Sequence, residues 1–140
     1  MRTIVYGVVT VALIGLAANM AKAQTANDAF GVWRHPENGS HVEVYKCGEG
    51  LCAKIVKVDD GQKTDDKNKD AAKRSRPILG LVIMSGAKKS GDNAWKGDLY
   101  NRADGGTYSG TLTVKSKSAM DLAGCTAVVL CKTTTWTRVK

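Results

Sequence analysis

The chain has 140 residues, with 21 Lys and Arg against 13 Asp and Glu, fifteen Gly, two Pro and four Cys; 43% of it is hydrophobic and 24% charged. That composition describes one globular domain and excludes a disordered chain, a collagen-like repeat and a large multi-part enzyme.

The first segment reads as a leader. Arg2 supplies a positive start, residues 4–18 carry no charge and are mostly apolar, and Ala21-Lys22-Ala23 has the small-x-small pattern of a signal-peptidase site. The expected signal peptide is therefore 1–23 and the expected single domain 24–140. A membrane-spanning helix is not expected here, because crossing a bilayer takes roughly 20 apolar residues. Loss of Arg2 and Lys22 with the leader leaves 19 basic and 13 acidic residues, a formal net charge of +6.

After the leader the chain reads as short strands with period-two patterning and no sustained helical period. The expected strands are 30–35, 41–47, 51–58, 78–86, 94–101, 107–115, 119–125 and 132–139. Their connections are rich in turn residues, such as Pro36-Glu37-Asn38-Gly39, Ser90-Gly91-Asp92-Asn93 and Asp104-Gly105-Gly106. Short loops favour antiparallel neighbours, and closing the sheet on itself removes its sticky edges. The expected architecture is all-β, an eight-stranded antiparallel up-and-down barrel. One long polar loop, 59–77, interrupts it and is expected to hold a short helix near 68–74.

Alternation assigns faces. Val42 and Val44 oppose His41, Glu43 and Tyr45, and Tyr108, Gly110, Leu112 and Val114 oppose Thr107, Ser109, Thr111 and Thr113. The fourth strand, around Ile78-Leu79-Gly80-Leu81-Val82-Ile83-Met84, is apolar on both faces. Its outer side is expected beneath the long loop or against a partner, with Gly80 permitting a bend.

Export gives the cysteines a meaning, since disulfides persist in oxidising compartments. Four cysteines allow three connectivities. Two local pairs are expected: Cys47 with Cys52 across Gly48-Glu49-Gly50-Leu51, and Cys125 with Cys131 across the slightly longer connection from Thr126 to Leu130. The spacings C-x4-C and C-x5-C lack the paired knuckles of a zinc site and the C-x-x-C of a redox centre.

The chain ends carry a further signal. Gly31-Val32-Trp33 opens the first strand and Trp136-Thr137-Arg138 closes the last. This arrangement resembles lipocalin barrels, in which the Trp plugs the closed end and an Arg lies across it. Further elements follow in order: Tyr45-Lys46-Cys47-Gly48, Asp66-Lys67-Asn68, Arg76-Pro77-Ile78-Leu79-Gly80, Trp95-Lys96-Gly97, Tyr100 and Asp104-Gly105-Gly106-Thr107-Tyr108. Together they resemble the small secreted bacterial family called domain of unknown function 2147. The resemblance spans about 30–139 and implies a lipocalin-like barrel, export and a binding role, with no established reaction or ligand.

Chemistry is thin elsewhere. Asp66, Asn68 and Asp70 begin like a calcium loop, but Ala71 stands where its Gly belongs and Pro77 where its bidentate Glu belongs. His35 and His41 have Glu37 and Glu43 nearby, with no third ligand fixed by spacing. Gly-x-Ser-x-Gly is absent, and Asp92-Asn93 follows Gly91 where a phosphate loop needs Lys and Ser or Thr. No enzymatic activity, cofactor, metal or nucleic-acid partner is expected. Acidic residues interrupt the basic ones in the long loop, and export places anionic lipid or another envelope component within reach instead.

The expected function is non-enzymatic binding of a small apolar or amphipathic, lipid-derived molecule by an exported protein, periplasmic or secreted. Eight strands enclose an interior that side chains fill or that holds one small ligand. The expected lining is Tyr45, Met84, Trp95, Leu99, Tyr108, Leu112, Met120 and Leu122, with Arg76 contacting an anionic group. Gly31, Trp33, Trp136 and Arg138 are assigned to barrel closure. The alternative is a filled barrel that binds an envelope or host protein.

Overall fold

The structure is a computed structural model that describes residues 24–127 and 130–140; the expected leader, 1–23, lies outside the described residues. Eight strands follow in chain order: β1 (Gly31–Arg34), β2 (His41–Cys47), β3 (Gly50–Lys57), β4 (Val82–Gly91), β5 (Ala94–Asn101), β6 (Gly106–Val114), β7 (Ala119–Ala127) and β8 (Leu130–Arg138). Each pairs antiparallel with the next and β8 returns to β1, closing the barrel. Among the described residues no helix is long and apolar enough to cross a membrane.

Alternation sets the inside. Along β2, Val42 and Val44 are buried while their neighbours are not, and along β6 Gly110, Leu112 and Val114 are buried in the same rhythm. The seam between β1 and β8 is short, with Trp33 opposite Arg138 and Arg34 opposite Thr137. The chain end lengthens it: Val32 N–H donates to the Lys140 carbonyl at 2.6 Å and Val139 N–H to the Val32 carbonyl at 2.7 Å.

Two expectations need correction. The fourth strand runs over Val82–Gly91 and not 78–86. Gly80 has φ +86°, which a side chain tolerates poorly, so the apolar run turns before the strand begins. Ile78 and Leu81 are buried and Leu79 is exposed. The short helix expected near 68–74 is a single 3-10 turn, Ala71–Lys73, with Asp70 Oδ1 accepting from the Ala72 N–H at 3.0 Å. Both expected disulfides are present, Cys47–Cys52 on the β2–β3 hairpin and Cys125–Cys131 directly opposed between β7 and β8.

Odd-numbered strands run away from the end plugged by a 3-10 turn, Ala26–Ala29. Three connections gather at the other end, 35–40, 58–81 and 102–105, beside the end of β7 at Ala127 and the start of β8 at Leu130. The barrel therefore has one stoppered end and one end built of loops.

Candidate functional site

The stoppered end is tightly filled. Trp33 is fully buried and its Nε1–H donates to the Ala29 carbonyl at 2.8 Å, while Trp95 Nε1–H donates to the Ala26 carbonyl at 2.7 Å. Two indoles thus hold the 3-10 turn in place. Above them, Val44, Ala53, Met84, Leu112 and Met120 leave a gap of only about 10 Å³, room for one water at most. At Gly110 a Cβ would sit 2.8 Å from both Leu99 Cβ and Met84 Cε, so only glycine permits this closeness.

The loop end is hollow. A cavity of about 680 Å³ opens there, within the range that holds small ligands. Its lower wall is apolar: Val42, Ile55, Ile83, Leu99, Leu122 and the indole of Trp136. The mouth is polar, with His35, Glu37, Asp60, Arg102, Asp104, Tyr108 and Lys132. The His35 ring stands edge-on to Trp136 at 4.6 Å.

The long loop is fastened over this mouth by two carboxylates. Asp65, fully buried, accepts from Tyr100 Oη at 2.5 Å, Asn68 Nδ2 at 2.8 Å and Arg76 Nε at 2.8 Å. The Arg76 guanidinium also lies 5.5 Å from the centre of the Tyr100 ring. Burial pushes the Asp65 carboxyl up, but the three donors and the Arg76 charge outweigh it and hold the group below its ordinary value. The second carboxylate, Asp60, accepts from Arg102 Nη2 at 2.9 Å. Arg102 is itself buried and bonds Ser40 Oγ at 3.2 Å and the Gln62 side-chain oxygen.

At the rim, Tyr108 Oη donates to Asp104, and Gly106 N–H donates to the same carboxylate at 2.8 Å. The tyrosine bond chiefly holds Asp104 below its ordinary value, and the carboxylate in turn pushes the Tyr108 phenol up. Burial, then the bond to Asp65, pushes the Tyr100 phenol up as well. His35 is lowered, first by burial and further by the Arg102 and Lys132 charges, against the opposing pull of Glu37 and Asp60.

Of the residues expected to line the site, Leu99, Tyr108 and Leu122 border the cavity. Met84, Leu112 and Met120 face inward but lie in the filled half. Tyr45 is on the outer face, with Lys54 Nζ 5.0 Å from its ring centre, because its parity is opposite to that of Val42 and Val44. Arg76 serves the Asp65 cluster and does not border the cavity. Trp95 and Trp136 exchange the places expected of them: Trp95 holds the plug and Trp136 borders the cavity. Gly31, Trp33 and Arg138 meet at the stoppered end, where the Arg138 guanidinium carbon is 4.2 Å from the Trp33 ring centre. At Gly31, φ is +138° and a Cβ would sit 2.5 Å from Arg138 Nη1, so glycine admits the guanidinium.

Sequence reasoning missed Arg102, the cavity position of His35 and the role of Asp65. Arg102 and Asp60 are 42 positions apart, and Tyr100 and Asp65 are 35 apart, so no local pattern links them.

A family model described as an uncharacterized protein conserved in bacteria, DUF2147, matches residues 31–138. No curated protein matches the chain. Among solved structures, the chain is similar to protein HP1028 from Helicobacter pylori, described as belonging to the lipocalin family. The two share 26% identity with a TM-score of 0.73, over 80% of this chain and 83% of that one.

Proposed function

The chain belongs to the DUF2147 family, and from that premise we propose that it is an exported carrier of one small apolar or amphipathic molecule, lipid-derived and bound without turnover. The observation that carries this reading is the 680 Å³ cavity, apolar below and polar at its mouth. That division matches a ligand with a tail and a head, and burial of the tail contributes about 25 cal/mol per Å² of apolar surface. The lipocalin-like fold of the chain fits a small-molecule binder. Two disulfides fit an oxidising compartment, periplasmic or extracellular.

The rival reading, a filled barrel that binds another protein, needs side chains throughout the interior. They occupy only the lower half.

Native mass spectrometry of protein purified from its producing cells, followed by solvent extraction, tests the carrier. An adduct that extraction removes is expected, together with displacement of a neutral naphthylamine dye by the extract. Leu122→Trp, which fills the apolar wall, is expected to abolish dye binding while the melting transition persists. A protein that carries nothing, and binds no apolar dye before or after extraction, overturns the proposal.

A further inference from the structure

The charges at the mouth are already answered by protein groups. Glu37 pairs with Lys132 at 2.9 Å and Asp60 with Arg102 at 2.9 Å, while Asp104 accepts from Tyr108 and from the Gly106 N–H. A charged ligand head entering this ring would meet, among the described residues, charges of both signs that are already paired, and would gain little from any one of them. Arg102 and Lys132 oppose a cation, and Glu37, Asp60 and Asp104 oppose an anion.

Among the uncharged donors of the mouth, that of His35 stands beside the apolar wall, against Trp136. The Glu37 N–H donates to His35 Nδ1 at 3.1 Å, which makes Nδ1 the acceptor and leaves the proton of the neutral ring on Nε2. Among the described residues no protein group accepts that proton, although the ring borders the cavity beside Trp136. The polar hydrogen on the Trp136 indole, by contrast, is taken by Thr134 Oγ1 at 2.9 Å.

We infer that the cavity selects an uncharged amphiphile whose hydroxyl or carbonyl oxygen accepts from His35 Nε2, its tail lying against Trp136 and Leu122. This rests on the carrier reading and narrows it to a class of head group. Charged amphiphiles of either sign are the disfavoured ligands.

The test compares dodecanol, dodecanoate and dodecylammonium, three probes with one tail, by displacement of the neutral dye near pH 7.5. Dodecanol is expected to bind at least about tenfold more tightly than either ion, a preference of about 1.4 kcal/mol. Its affinity is expected to be unchanged by added salt, since no ion pair forms. His35→Phe keeps a ring beside Trp136 and removes the donor, so dodecanol should weaken about three- to tenfold while dodecanoate does not change. His35→Gln restores an N–H near Nε2 and should recover most of the loss. On the wild-type protein, addition of dodecanol should shift the His35 ring resonances, a readout that does not depend on either variant folding. Equal or tighter binding of an ion, or no His35 response, overturns the inference and leaves the carrier standing. Failure of all three probes to displace the bound dye likewise overturns the inference and leaves the carrier standing, whereas a protein that binds neither dye nor probe overturns both.

Discussion

The Arg138 guanidinium lies over the Trp33 indole, 4.2 Å from the ring centre to the guanidinium carbon, and donates to the Phe30 carbonyl at 2.9 Å and to the Asp28 carbonyl. Stacking and charge-assisted hydrogen bonds therefore converge on one side chain where the seam between β1 and β8 is shortest. Arg138→Lys keeps the charge but loses the planar fork, and should cost about 1.5–3 kcal/mol, the range for hydrogen bonds to a charged group. Trp33→Ala, which opens a cavity in the plug, should cost about 3–5 kcal/mol. Urea unfolding measures both, and an unchanged midpoint for both variants contradicts the closure role.

The Asp65 cluster gives an acid-sensitive fastening for the long loop. Its folded carboxyl lies below the ordinary value of 3.8, so the folded state binds the proton more weakly than the unfolded state does. Its contribution is therefore complete above about pH 5 and is lost as pH falls through 3.8 to the lower folded value. Asp65→Asn removes the charge that faces Arg76 and should cost about 1.5–3 kcal/mol at neutral pH. It should also accelerate proteolysis within 58–81 and flatten the acid limb of the stability profile. A variant whose acid limb matches that of the wild type would contradict this account.

How far the barrel was legible is clearest from the three tryptophans. Alternation places Trp33, Trp95 and Trp136 inside but says nothing of height along the barrel axis. Strand parity supplies it: β1 and β5 are both odd-numbered and run from the stoppered end, so Trp33 in the four-residue β1 and Trp95, second in β5, stay near that end. Trp136 sits two residues before Arg138 on the same face of β8, one step above the plug, and so meets the cavity. That signal was readable once the architecture was assumed. The pairings of Asp65 with Tyr100 and Asp60 with Arg102 were not, because they join distant segments through single side chains. The fourth strand was misplaced for a third reason. Hydrophobicity marks burial, and Ile78 is buried beneath the loop without being in a strand.

The two disulfides close loops of similar length but at opposite ends of the barrel. Removing either should cost about 2 kcal/mol by the loop-entropy model, so the paired substitutions Cys47→Ala with Cys52→Ala and Cys125→Ala with Cys131→Ala should shift unfolding alike. Their effects on binding should differ. Cys131 borders the cavity between Leu130 and Lys132, whereas Cys47–Cys52 lies on a hairpin remote from the mouth. Weakened dye binding is therefore expected for the second pair only. Equal binding by both variants argues that the mouth needs no clamp.

Acidification should act on the mouth through His35. The ring is held neutral by burial and by Arg102 and Lys132, in spite of Glu37 and Asp60, so its folded value lies below 6.5. Between that folded value and 6.5 the unfolded chain binds more protons, and stability falls as pH falls. Protonation also places a hydrogen on Nδ1, against the Glu37 N–H that donates to it. Proton NMR of the His35 ring should give a midpoint below 6.5, and bound dye should be released over the same interval. A midpoint at or above 6.5 contradicts the charge arrangement described for the mouth.

Trp136 makes occupancy of the cavity visible. Trp33 and Trp95 donate to carbonyls of the plug, while Trp136 borders the cavity and touches His35. A ligand entering from the loop end must replace water near Trp136 and leave the other two indoles in unchanged surroundings. Fluorescence should therefore shift to the blue on binding, and Trp136→Phe should abolish the shift while dye displacement still reports binding within about threefold, since a Phe ring preserves most of the apolar wall. If the shift survives in Trp136→Phe, the ligand has reached the filled half, and the division of the barrel into a packed floor and an open chamber is wrong.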